Sequence, residues 1–203
     1  AFQRSMAEAQ AAEQAARQQA RDQADAQRAN AARQPSAQDV LAGMEAAARQ
    51  GDTRLARVLG DVYRSGVGAA RQDPAAAARW YQLAAQGGDA DAASSLGGMY
   101  ATGMGVPRDD AAAFRYTLQA ARGGEVTALG NAGSMHEFGI GTPVDPGEAL
   151  RWYRLAAEKG NLRGFSGLGR AMLTGKGGTA VDAQAAMKWL RPAAEAGDAA
   201  AQM

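Results

Sequence analysis

The sequence predicts an all-α protein, a solenoid of four tandem helix–turn–helix repeats. Three observations carry that expectation. A Gly-(Asp/Glu/Asn) step recurs at Gly51-Asp52, Gly88-Asp89, Gly124-Glu125, Gly160-Asn161 and Gly197-Asp198, spaced by 37, 36, 36 and 37 residues. A Gly-x-Gly connector keeps its place in each period, at Gly66/Gly68, Gly103/Gly105, Gly139/Gly141 and Gly175/Gly177. An aromatic follows at Trp80, Tyr116, Trp152 and Trp189, then a small pair at Ala84-Ala85, Ala120-Ala121, Ala156-Ala157 and Ala193-Ala194. A fixed period of this length marks an array whose units cannot bury their apolar faces alone and are stabilised by stacking.

Residues 1–34 are almost entirely Ala, Gln, Arg, Asp and Glu, with Phe2 and Met6 the only large apolar side chains. Helix propensity is high, but no Leu/Ile stripe supports a coiled-coil seam, so a helical or disordered tether is expected. Gln34-Pro35-Ser36 marks the join. Residues 37–50 read as a capping half-repeat, because Met44 precedes Gly51 by the spacing that Trp80 keeps to Gly87.

Repeat one spans 51–87. Its first helix, roughly 52–65, carries Leu55, Leu59, Val62 and Tyr63 on one stripe. Gly66-Val67-Gly68 ends it, since a helix end and tight turn need positive φ. Asp73-Pro74 starts the second helix: the aspartate caps free N–H groups, and proline at the first helical position loses no hydrogen bond. Repeats two (88–123), three (124–159) and four (160–196) follow the same plan, with Asp109, Asp145 and Asp182 as the second caps. Residues 197–203 begin a fifth.

A glycine stands nine residues into each repeat, at Gly60, Gly97, Gly133 and Gly169. Each costs about 1 kcal/mol against alanine in a helix, so their recurrence predicts close approach of the paired helices. Trp80, Tyr116, Trp152 and Trp189 are expected to fill the gaps between units. Pro192, inside the second helix of repeat four, is expected to kink it. The chain starts at Ala1 and stops mid-pattern, so the array is expected to continue. That leaves room beyond these residues for a signal peptide or anchor.

These motifs resemble the Sel-like repeat family, a relative of the tetratricopeptide repeat with a longer, glycine-rich connector. Leu96-Gly97, Met99-Tyr100, Gly103-Met104-Gly105-Val106-Pro107 and Ala120-Ala121 fall where the family pattern has them. The run from Trp152-Tyr153 to Lys159-Gly160 is nearly as close. The resemblance covers residues 51–203. His136 and Met172 depart from it where Tyr63 and Tyr100 stand, as do Thr117 and Leu190 at the second aromatic. The resemblance implies a right-handed α/α superhelical, tetratricopeptide-like solenoid and a non-catalytic scaffold or adaptor for a protein partner. It also points to a bacterial, periplasmic or envelope setting, with the cytoplasm as the alternative.

Chemistry is sparse. Net charge is +1, from 22 basic and 21 acidic residues with the basic ones dispersed, which argues against nucleic acid as partner. There is no cysteine, hence no disulfide or thiolate site. No apolar run approaches the roughly 18–20 residues of a membrane span. His136-Glu137 would open a zinc-protease helix only with a second histidine where Ile140 stands, and His136 is the sole histidine. Thr174-Gly175-Lys176-Gly177 is not a phosphate loop, because Arg170 and Gly177 occupy the required Gly and Ser/Thr places. The Gly-x-Gly connectors lack the third glycine and the strand of a dinucleotide site. Asp109-Asp110 reads as a cap and an exposed first-turn residue. No catalytic, cofactor or metal residue is expected, and the chain is read as not an enzyme.

A surface is left. In related repeat folds the first helices line the concave wall, on the stripe opposite their core contacts. Helical spacing puts Arg54, Arg57, Asp61 and Arg64 of repeat one there, with Asp91 and Ser94 of repeat two. Thr127, Ser134, Glu137 and Phe138 of repeat three and Arg163, Ser166 and Arg170 of repeat four complete it. Arginine suits a bidentate grip on carboxylates, so an extended or helical partner segment with acidic side chains is expected. Two alternatives stand beside it: a specific inhibitor or immunity partner of a secreted toxin, and the interaction module of a larger protein whose catalytic part lies elsewhere.

Overall fold

The computed structural model describes residues 2–197, with side chains for 13–28 and 34–197. Of the fifth repeat expected at 197–203, residues 198–203 lie outside the described residues, as do the side chains of Phe2 and Met6. Among the described residues there are ten α-helices and no strand. They are α1 (Phe2–Arg33), α2 (Ala37–Arg49), α3 (Thr53–Ser65), α4 (Pro74–Gln86), α5 (Ala90–Thr102), α6 (Asp110–Arg122), α7 (Val126–Phe138), α8 (Pro146–Glu158), α9 (Leu162–Thr174) and α10 (Ala183–Glu195). A short 3-10 turn, Lys176–Gly178, follows α9. The chain divides into two compact units, one up to Ala42 and one from Gly43 onward.

In the first unit α1 shows almost nothing but exposed side chains over 13–28. Pairs such as Arg17–Glu13 at 2.5 Å are solvent-screened and add little. The start of α2 is a capping box. Ser36 Oγ accepts from the Asp39 N–H at 3.1 Å, and Asp39 Oδ2 accepts from the Ser36 N–H at 3.0 Å.

From Gly43 onward the chain is a helical-repeat solenoid. Each of α3 to α10 is 13 residues long. Side-chain caps fix that length at one end: Asp52, Asp89, Glu125 and Asn161 accept an N–H three residues on in α3, α5, α7 and α9. Asp73, Asp109, Asp145 and Asp182 do the same for α4, α6, α8 and α10. Left-handed Gly66, Gly103, Gly139 and Gly175 end the first helices. The helix α10 runs through Pro192 to Glu195 at full length, so the proline shortens nothing. Proline removes only one backbone donor, and here it does so in the last turn.

Consecutive helices pair as hairpins, and each second helix then packs on the next first helix. First helices also meet one another, α3 with α5 and α7 with α9, whereas no two second helices come as close among the described residues. The core between them is built of small side chains, with Ala85, Ala93, Ala120, Ala121, Ala128, Leu129, Ala132 and Ala156 forming one cluster. At its N-terminal edge, the Tyr63 hydroxyl donates to Glu45 of α2, and Arg49 lies 5.2 Å over the Trp80 ring.

The recurrent helix glycine does permit close approach, and of the four expected gap-fillers Trp80 is buried, but the residue seated on the glycine is its neighbour in each repeat. A Cβ on Gly60 would stand 2.5 Å from the Tyr81 ring, one on Gly133 2.6 Å from Tyr153, and one on Gly97 2.9 Å from Thr117. Gly169 faces Leu190 in the same way. Tyr81, Tyr153, Thr117 and Leu190 are therefore the inward residues, while Tyr116, Trp152 and Trp189 are only half-buried beside the core. One residue along a helix turns the side chain by about 100°, which decides the matter.

The second connector glycine has a separate use. Gly105 lies on the backbone of Pro74, Gly141 on Asp110, and Gly177 on Pro146, so each connector seats on the start of the preceding second helix. Gly68, with φ +77°, meets nothing within 4 Å. Gly68→Ala is accordingly expected to cost only the left-handed backbone term, about 1–2 kcal/mol, in a urea denaturation curve.

Candidate functional site

The thirteen first-helix residues separate into three sets. Arg54, Asp91, Thr127 and Arg163 hold one position in α3, α5, α7 and α9, and all four are exposed. They form a row repeated once per unit. Phe138, at the end of α7, is 62% exposed.

The next position is used for stacking instead. Arg57 Nε lies 3.3 Å from Oδ2 of Asp89, the cap of the following first helix, and Ser94 Oγ donates to the cap Glu125 at 3.0 Å. In repeat three this place is Gly130, where a Cβ would stand 2.6 Å from Oδ1 of the cap Asn161. Ser166, the repeat-four member, is 1% exposed. Arg57 and Ser94 tie one unit to the next, and Ser166 Oγ donates to the Leu162 carbonyl of its own helix at 3.0 Å, which corrects the expectation of an open wall there.

The third set surrounds the inward tyrosines. The Tyr81 hydroxyl donates to Asp61 at 2.7 Å and accepts from Arg64 Nε at 3.0 Å. The Tyr153 hydroxyl donates to Glu137 at 2.6 Å, with Ser134 Oγ 3.1 Å away and itself buried. Glu137 also accepts from Arg170 Nη2 at 2.7 Å, an ion pair joining α7 to α9. Burial first, and then the bond to Glu137, push the Tyr153 phenol up to about 12. Tyr81 is raised by burial and by Asp61 in the same sense.

Arg57, Arg64 and Arg170 are thus paired within the chain, and Ser134 and Ser166 lie inside the packing. Arg57 and Arg64 also lie 3.4 and 3.7 Å from Asp61 one helical turn away, but the partners in the neighbouring repeat are far along the chain, Arg170 and Glu137 being 33 residues apart. Arg54 and Arg163 have no ion pair among the described residues.

The Tyr153 ring lies between Gly133 and Gly167, both within overlap distance of it for any added Cβ. Beside it opens a pocket of about 310 Å³ whose lining runs from Glu137 to Lys176. No sequence motif announced it; the additional glycine at 167 was the available signal.

The other motifs resolve simply. His136 packs its ring edge-on against Phe114 with centroids 5.1 Å apart. Among the described residues no three His, Asp or Glu side chains gather as metal ligands. Asp109 caps α6, and Asp110 accepts from Arg108 at 3.0 Å. Gly175 caps α9 and leads into the 3-10 turn.

The chain matches the family model of the Sel1 repeat over residues 54–89, 90–125, 127–161 and 166–198. Among solved structures it is similar to a Sel1 repeat protein of Oxalobacter formigenes, with 32% identity and a TM-score of 0.69 over 75% of this chain and 62% of that one. It is also similar to c5321, a protective antigen of uropathogenic Escherichia coli strains with an SLR fold. There the identity is 29% and the TM-score 0.74, over 81% of this chain and 35% of that one. The chain therefore spans less than two thirds of either relative. Among curated proteins none matches.

Proposed function

This chain belongs to the Sel1 repeat family, and on that premise we propose that it is a non-catalytic scaffold or adaptor holding a segment of a partner protein along its first helices. Sel1 repeat proteins generally mediate protein–protein interaction, typically as non-catalytic modules. One observation carries the choice of surface. Arg54, Asp91, Thr127 and Arg163 stand exposed at one register position, with an arginine at each end. An arginine at each end of such a row can grip carboxylates of an extended or helical segment. Arg57 and Arg64 shape that wall instead of gripping, because each already serves an internal carboxylate or tyrosine, while Arg170 gives only Nη2 to Glu137.

The repeat boundaries at 51, 88, 124 and 160 belong to the same proposal. So does a bacterial envelope setting, which the antigen relative from a pathogenic strain favours. No helix among the described residues is long and apolar enough to cross a membrane.

A photo-crosslinking amino acid placed at Arg54 or Arg163 in the producing bacterium tests the surface. A discrete protein adduct is expected from these positions and not from the exposed Arg79 and Arg151 of the second helices. Adducts from Arg79 and Arg151 alone would put the partner on the opposite layer and end the proposal.

A further inference from the structure

The pocket beside Tyr153 spans repeats three and four and is continuous with the first-helix face through Glu137 and Arg170. At about 310 Å³ it stands at the lower end of ligand pockets, which run from roughly 300 to 1,000 Å³. That is room for a large side chain and its neighbour rather than for a cofactor. Its walls are apolar: Pro146 and Leu150 line it, and Val144 and Leu173 are 61% and 44% exposed. Covering apolar side chains that face water is favourable in proportion to the area removed.

The polar end is cationic. Glu137 is the one carboxylate of the lining, against Arg170 and Lys176. Arg170 gives Nη2 to Glu137, and a guanidinium has five N–H donors, so others remain for a second acceptor. Lys176 has no ion pair among the described residues. It occupies the connector position where the other repeats show Val67, Met104 and Ile140, so a cation replaces an apolar residue only where the pocket opens. The Tyr153 hydroxyl is committed to Glu137 and supplies no competing acid or base.

We infer that this pocket takes a branched aliphatic side chain of the partner segment, with the carboxylate side chain of the adjacent residue held by Lys176 and Arg170. The inference rests on the reading that the first-helix face holds a partner.

The probe is the blocked peptide acetyl-Gly-Leu-Glu-Gly-amide, followed by methyl NMR on the whole chain. At millimolar peptide the methyl signals of Val144, Leu150 and Leu173 are expected to shift together. Glutamine in place of the peptide glutamate, or Lys176→Gln in the protein, should each weaken binding about tenfold through loss of a charge-assisted contact. Serine in place of the peptide leucine should abolish the shifts. Silence of these methyls, or indifference to both charge removals, would overturn the inference. So would tighter binding of acetyl-Gly-Leu with a free carboxylate, which would make the occupant a chain end. Cross-links from Arg54 and Arg163 with a silent pocket would sink this inference alone. A responsive pocket without such cross-links would leave the pocket standing and remove the row.

Discussion

Gly141→Ala should lower the stability of the array by about 2–5 kcal/mol, the sum of a left-handed backbone term and overpacking. Gly141 has φ +68°, and its added Cβ would fall on the carbonyl of Asp110, inside contact distance. That carbonyl belongs to the first turn of α6, held by the Asp109 cap, and backbone there cannot swing aside as a side chain could. The damage falls on the junction between repeats two and three. A one-dimensional array is held by nearest-neighbour interfaces, so unfolding in urea should separate into two transitions. Gly68→Ala, with similar dihedrals and open space, should keep a single one. Equal midpoint losses in the two variants would show that seating on the previous unit contributes nothing.

Tyr153→Ala should cost about 3–5 kcal/mol, in the range of large buried aromatics. The side chain is 3% exposed and lies between glycines of two successive first helices, which cannot close the gap. Tyr153→Phe keeps the ring and removes the hydroxyl from Glu137, for about 1–3 kcal/mol. The phenol also sets a pH dependence. Its folded pKa of about 12 is above the ordinary 10.0, so between those values the unfolded chain releases a proton that the folded chain keeps. The contribution is complete below pH 10 and is lost as pH climbs toward 12, by up to about 2–3 kcal/mol. Thermal unfolding followed across that window should show wild type converging on Tyr153→Phe. If the phenylalanine variant loses as much stability as wild type there, the phenol is not the group responsible.

Most of the helices could be read from the linear chain because their signals are local. Caps at Asp73 and Asp145, prolines behind them, and the left-handed glycine at 66 act within a few residues, and α3 begins and ends within one residue of its expected span. The inward member of the Trp-Tyr pair was not legible, since both residues are apolar enough to be buried. The candidate surface was legible only in part. Arg54 and Arg163 are exposed, but Arg57 and Arg170 were claimed by acidic side chains in the neighbouring repeat.

The sequence by itself determined the period, the alternation of helix and connector, and the family, because glycines, caps and alanine pairs impose those wherever the chain lies. Tertiary structure alone decided what each side chain faces. Stacking the units brings residues some thirty positions apart into contact, ties Arg57 to Asp89 and Arg170 to Glu137, and opens the pocket beside Tyr153. Those outcomes depend on distances between helices, which repeat spacing leaves open until the hairpins close on one another.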